Sequence, residues 1–353
     1  MRIQDIARTI ARTRVAFPVI PVVALALGLG GACREGCAHN TDPAATVQGR
    51  LALLPEPVRV VVSLDAAKLR ASPAAAKLAA LGKQDPDGDR ELQELARRTG
   101  FDPLTQLDSV LVGFPEDARQ RGELALVLRA EHLSEARLVG YVRDQLQKKG
   151  DDLVSAPHGR LTLWSARSNP DVAGFFVGDK TFVLGAGGWA PRLADLAETA
   201  HPGDSAATNI DLGRLTERAA GHALWAAAIV PAETRRTLLQ GEPALRGAAS
   251  LMNLVVGIDL GRGLDALVVG DVATTADAQA LVAKMQETLR DAKRNAQILM
   301  LGLGPYLDGV TAHASDQRFE LRASLTEPQL DDLLARLGAF LALARQGRAP
   351  GFP

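Results

Sequence analysis

Ser109-Val-Leu-Val-Gly113 is followed, after a polar interval, by Glu123-Leu-Ala-Leu-Val-Leu-Arg129. Much later the chain repeats the phrase as Asn253-Leu-Val-Val-Gly-Ile258 and Leu264-Asp-Ala-Leu-Val-Val269. Each run is short, apolar and of strand length. Within each pair the connection is too short for a crossover, so the strands are antiparallel. Reading outward, Val58-Arg-Val-Val-Val-Ser-Leu64 precedes the first pair and His222-Ala-Leu-Trp-Ala-Ala-Ala-Ile-Val230 precedes the second, both as strands.

Helical periodicity fills the intervals. Pro73 to Leu81 and Arg90 to Arg98 read as short helices, and Ala232 to Leu239 as their later counterpart. A long helix is expected from Leu133 to Lys148, with Leu133, Ala136, Val139, Val142 and Leu146 on one face. Its partner runs from Ala276 to Leu301, striped by Leu281, Val282, Met285 and Leu289. Leu161-Thr-Leu-Trp-Ser165 is a strand, and Gly174 to Val177 turns at Gly178-Asp179 into Thr181 to Leu184. A helix from Pro191 to Thr199 closes the first half. In the second half Val310 to Ala314 is a strand, and Arg318-Phe-Glu-Leu-Arg-Ala-Ser-Leu325 alternates apolar and polar throughout, as a half-buried antiparallel strand does. A helix from Glu327 to Arg345 ends the pattern.

The fold class this predicts is α+β: two similar halves, each an antiparallel sheet with helices packed on one face. The expected organisation is an export segment over residues 1–32, a tether over 33–54, a first repeat over 55–200, a linker over 201–217, a second repeat over 218–346 and a structureless tail over 347–353. Whether the two sheets join stays open.

Of the 353 residues, 47% are hydrophobic and 23% charged, a globular balance, and the formal net charge is −1. No basic field recruits nucleic acid, and aromatic residues at 4% supply few stacking platforms. Cys33 and Cys37 are the two cysteines of the chain, so the body folds without disulfides.

Both cysteines follow an apolar run. Arg2, Arg8, Arg12 and Arg14 precede Val15 to Ala32, and Gly30-Gly-Ala32 stands before Cys33. A basic region, an apolar region and small residues make an export signal. The segment resembles a bacterial lipoprotein signal, although Leu29 lies four residues before Cys33 where that family places its leucine three before. The resemblance implies a lipid on Cys33, and Arg34 after it, rather than aspartate, implies the outer membrane. Two other readings stand beside it: cleavage after Ala32 or Ala38 with release, or retention of Val15 to Ala32 as a membrane anchor. Gly100-Phe-Asp-Pro-Leu104 with Leu107-Asp-Ser-Val-Leu-Val-Gly113 is similar to a phrase in secreted bacterial lipoproteins of unknown function. It is a helix-ending glycine, a turn and a strand, and it brings no catalytic residue.

Several patterns touch on chemistry. Gly185-Ala-Gly187-Gly-Trp-Ala190 fits G-x-G-x-x-A between strand and helix, but the strand belongs to a hairpin rather than a βαβ unit. Asp85-Pro-Asp87-Gly-Asp89 alternates acids like a calcium loop, yet Arg90 and Ala96 stand where that loop needs glycine and glutamate; Asp89 is expected to cap a helix instead. Gly203-Asp-Ser205 reads as a solvated loop serine, lacking the G-x-S-x-G elbow. Cys33-x-x-x-Cys37-x-His39 lacks a fourth zinc ligand. His39, His132, His158, His201, His222 and His313 are scattered, Asp151-Asp152 and Asp331-Asp332 read as solvated element ends, and Trp164 and Trp225 as core.

The expectation is a non-enzymatic envelope lipoprotein attached through Cys33, with a binding or scaffolding role and no cofactor or metal. Its partners would be the membrane and a protein or apolar ligand, not nucleic acid. A carrier of apolar ligands, with Ile298-Leu-Met-Leu-Gly-Leu303 lining a cleft, and a hydrolase with a site assembled from distant residues are the alternatives.

Overall fold

The structure, a computed structural model, describes residues 43–82, 86–116, 122–199, 202–240, 249–300 and 302–345. Twelve strands are described: β1 (Val58–Asp65), β2 (Leu107–Pro115), β3 (Leu124–Ala130), β4 (Leu153–His158), β5 (Leu161–Ala166), β6 (Asn169–Val177), β7 (Thr181–Ala186), β8 (Leu224–Ile229), β9 (Leu251–Leu260), β10 (Leu264–Val272), β11 (Val310–Ser315) and β12 (Arg318–Leu325). The helices are α1 (Val47–Ala52), α2 (Ala66–Arg70), α3 (Pro73–Gly82), α4 (Pro86–Thr99), α5 (Pro103–Gln106), α6 (Glu135–Lys148), α7 (Ala190–Thr199), α8 (Ile210–Ala219), α9 (Ala232–Gln240), α10 (Thr275–Arg294), α11 (Ala296–Met300) and α12 (Glu327–Arg345). The predicted α+β class stands.

All twelve strands form one antiparallel sheet, in the order β11-β12-β10-β9-β8-β1-β2-β3-β7-β6-β5-β4. The two halves therefore share a sheet, and they meet where β1 pairs with β8. One line of register crosses every strand: Ser155, Trp164, Gly174, Leu184, Leu126, Val112, Val62, Ala226, Val256, Val268, Leu321 and Ala312. The halves correspond strand for strand about the β1/β8 seam. β1, β2, β3, β7 and β6 match β8, β9, β10, β12 and β11. The first half adds β4 and β5 outside β6; the second half ends at β11.

Successive side chains on a strand point to opposite faces, and from β5 across to β9 both faces are covered. On one face Leu64, Val110, Leu126 and Leu128 meet Leu69 of α2, Leu95 of α4 and Tyr141 of α6. Farther along the same face, Val268, Phe319 and Leu321 meet Ala278 and Val282 of α10. On the other face Val61, Leu111, Val127, Phe175, Val183 and Trp225 bury Leu51 of α1, Leu193 of α7 and Leu212 and Leu215 of α8. The helices expected on one face are thus joined by a second layer. The physical reason is visible in β3: Ala125, Leu126, Val127 and Leu128 are all buried, a continuous apolar run that needs cover on both sides.

Two segments read as connectors belong to that second layer. Leu51, Leu53 and Leu54, in the expected tether, are 0%, 4% and 0% exposed. The span expected as a linker holds 3-10 turns at Pro202–Asp204 and Ala206–Thr208 and most of α8. Asn209 caps α8 by accepting the Leu212 amide at 3.0 Å. The helix expected from Ala276 to Leu301 breaks at Asn295, where α10 ends in an extended residue.

Candidate functional site

An apolar concavity lies in the first half, between the sheet and helices α4 and α6. Leu128 of β3, Trp164 of β5, Gly174 and Phe176 of β6 and Phe182 of β7 form its floor. Leu95, Phe101, Leu133, Leu138, Val139, Tyr141, Val142 and Leu153 form its walls, and the cavity volume is about 80 Å³. No carboxylate, imidazole, thiol or aliphatic hydroxyl is among these lining groups.

Five aromatic residues converge there, Phe101, Tyr141, Trp164, Phe176 and Phe182, out of the fourteen in the chain (nine Phe, three Trp, two Tyr). Phe176 and Phe182 tilt at 55° with centroids 5.0 Å apart. Gly174 makes room for them: a Cβ there would stand 2.4 Å from the Phe182 ring. Trp164 Nε1 donates to Glu135 Oε1 at 2.9 Å, which ties the floor strand to the start of α6. At the α4 side, Arg98 lies 5.3 Å from the Tyr141 ring centroid and pairs with Asp144. Burial, with Glu94 and Glu91 nearby, pushes the Tyr141 phenol up, so it stays neutral at physiological pH.

A second polar cluster sits at the seam. His222 Nδ1–H donates to Asp259 Oδ2 at 2.6 Å, Lys68 Nζ stands 2.9 Å from Asp259 Oδ1, and the Ala223 amide donates to the same oxygen at 2.9 Å. Lys68 also donates to the Gly221 carbonyl. Both carboxylate oxygens are thus engaged in holding α2, from the first half, to the β8–β9 edge of the second. The arrangement joins the halves and leaves the carboxylate committed to structure.

Among the sequence candidates, Cys33, Cys37, His39, His201 and Asp85 lie outside the described residues. Asp89 is inside α4, where it accepts from Gln93 at 2.7 Å rather than capping the helix. Ser205 is fully buried, not solvated: it bridges to Pro55 and is part of the second layer. The glycines at the end of β7 and just after it serve packing. A Cβ on Gly185 would lie 2.5 Å from the Ala190 amide, and Gly187 and Gly188 take φ of 65° and 81° in the turn into α7. The remaining histidines stay apart: His132 faces Asp179 at 3.5 Å, His158 faces Asp195 at 2.7 Å, and His313 is on exposed β11. Among the described residues no group of three or more His, Cys, Asp or Glu could hold a metal. Asp151 and Asp332 are anchors: Asp151 accepts from Ser168, and Asp332 from Tyr306 and Arg336. Trp225 is core at 2% exposure, while Trp164 lines the cavity. Ile298, Leu299 and Leu303 are not among its lining groups, and Leu299 is 55% exposed. Sequence reasoning missed Phe176, Phe182 and Tyr141 as a group. The one available signal was the clustering of scarce aromatics between Phe101 and Phe182.

No family model matches the chain, and no curated protein matches it. Among solved structures, one titled "Structure of crystal form I of TP0453" is similar at a TM-score of 0.41 and 10% identity, over 86% of this chain and 99% of that one. Among the described residues no helix is long and apolar enough to cross a membrane.

Proposed function

We propose that the chain is a non-enzymatic binding protein of the cell envelope, tethered through Cys33, whose aromatic cavity takes up a small apolar group. The observation that carries the binding role is the lining itself. It offers hydrocarbon and ring faces and no acid–base or nucleophilic set, so it suits burial of an apolar group rather than bond chemistry. Size limits the ligand. A cavity of about 80 Å³ is roughly half the ~150 Å³ engineered cavity that admits benzene, so it takes a ring edge, a branched side chain or the end of an acyl chain, not a whole lipid tail. The carrier reading narrows accordingly to a ligand held by its tip. The tether rests on the basic and apolar leader and the small residues before Cys33.

Two measurements test the two parts. Palmitate labelling is expected in the wild type and absent in Cys33→Ala; absence from both removes the lipid anchor. Titration with 1-octanol, whose chain end alone has to enter, followed through Trp164 fluorescence with Trp189→Phe and Trp225→Phe in the background, is expected to saturate in the parent. Gly174→Ala is expected to lose at least tenfold in affinity, because the new methyl drives the Phe182 ring into the cavity. Equal affinity in both proteins removes the binding site.

A further inference from the structure

The two outer strands of the sheet are guarded differently. The β4–β5 hairpin turns at Gly159-Arg160, with His158 opposite Leu161. In a two-residue hairpin that flanking pair is the hydrogen-bonded one, so His158, Ala156 and Val154 bond inward and Pro157 faces outward. Its missing N–H costs no ladder bond and blocks strand addition. The β11–β12 hairpin turns at Asp316-Gln317, with Ser315 opposite Arg318. By the same rule Ser315, His313 and Thr311 bond inward, and Val310, Ala312 and Ala314 present their backbone outward. Val310-Thr-Ala-His-Ala-Ser315 contains no proline, lysine or carboxylate. Outward groups already engaged are the Val310 amide, which donates to the Leu307 carbonyl, and the Ala312 carbonyl, which accepts from Gln286 Nε2 at 3.2 Å.

Internal symmetry shows what such an edge can take. The counterpart of β11 in the first half is β6, and its outer side is filled by β5. The chain supplies no strand at the matching place beside β11 among the described residues.

We infer that β11 pairs antiparallel with β11 of a second copy, about a two-fold axis at Ala312, extending the sheet across two chains. The strand is its own complement. The axis places Ala312 opposite Ala312, Val310 opposite Ala314 and Thr311 opposite His313, with no charge meeting a like charge. Ala312 amides and carbonyls exchange two hydrogen bonds once Gln286 swings aside. The Ala314 amides reach the partner's Val310 carbonyls, while the Val310 amides keep their bonds to Leu307. This is the operation that already unites β1 with β8, and an isologous interface of this kind closes at two copies. The edge is six residues long, so the association is weak and concentration-dependent.

Sedimentation equilibrium of the full chain in detergent, from micromolar to near-millimolar concentration, tests it. The wild type is expected to dimerise. Ala314→Pro copies the Pro157 guard without touching the inward ladder and is expected to weaken the dimer at least tenfold. Thr311→Asp/His313→Asp sets carboxylates against each other across the axis and is expected to do the same. Thr311→Asp/His313→Lys pairs opposite charges there and is expected to restore it. A wild type monomeric throughout, or a dimer indifferent to all three variants, overturns the inference; association through the leader or through another surface would give the second result.

Discussion

Val62 stands directly opposite Ala226, and through that pair the two halves of the chain become one sheet. Neither β1 nor β8 is an edge. The cluster behind them draws Val61 and Leu111 from the first half and Trp225 and Val255 from the second into one apolar body with α1, α7 and α8. The cavity floor on β3, β5, β6 and β7 therefore belongs to a sheet braced by both halves of the chain.

The second helical layer gives the plainest prediction. Leu212 and Leu51 are both 0% exposed, in segments whose composition reads as connector. Leu212→Ala and Leu51→Ala should each destabilise by about 2–5 kcal/mol in urea unfolding, as core truncations do. Values within about 0.5 kcal/mol of wild type, typical of exposed sites, would show that these segments do not pack as described.

How far the sequence discloses this arrangement depends on the kind of signal. Strands with an apolar run or strict alternation are legible: Val58, Ser109, Leu264 and Arg318 open predicted strands that the structure contains. Strand β4 is not, because Leu153-Val-Ser-Ala-Pro-His158 has a proline and a run of three exposed residues, Ser155 to Pro157, which suit an edge and carry no periodicity. Helix α8 hides in Ile210-Asp-Leu-Gly-Arg-Leu-Thr-Glu-Arg-Ala219, where one glycine and flanking polar residues mask Leu212, Leu215 and Ala219 on one face. The cavity is less legible still. Its lining comes from nine separate stretches between Leu95 and Phe182, and convergence across strands leaves no local spacing to read.

Two glycines on adjacent strands differ in what a side chain there would meet. A Cβ on Gly185 meets backbone, the Ala190 amide at 2.5 Å and its Cα at 2.7 Å, so α7 as a whole must move. A Cβ on Gly174 meets mainly the Phe182 ring, which can rotate into the cavity. Gly185→Ala is expected to lower stability by about 3 kcal/mol or more, and Gly174→Ala by about 1 kcal/mol. Thermal unfolding of both variants decides the matter. A Gly174→Ala loss as large as that of Gly185→Ala would mean that the floor of the cavity is as rigid as the α7 contact.

Acid should loosen the seam between the halves at Asp259. Burial pushes its carboxyl up, but hydrogen bonds from Lys68, His222 and the Ala223 amide outweigh burial, and the group titrates below its ordinary 3.8. A depressed carboxyl contributes stability that is fully present above the unfolded-state value and is lost as pH falls through the lower folded-state value. Asp259→Asn keeps the shape, removes the charge and leaves one acceptor oxygen for three donors. At pH 7 it should cost about 1–3 kcal/mol, the range for hydrogen bonds to a charged group left unmade. As pH falls below the unfolded-state value the gap between the two proteins should begin to shrink, and it closes as the folded carboxyl itself is protonated. Urea unfolding of both at pH 7 and near pH 3 measures that gap directly. An equal gap at the two pH values would show that the Asp259 charge contributes nothing to holding α2 against the β8–β9 edge.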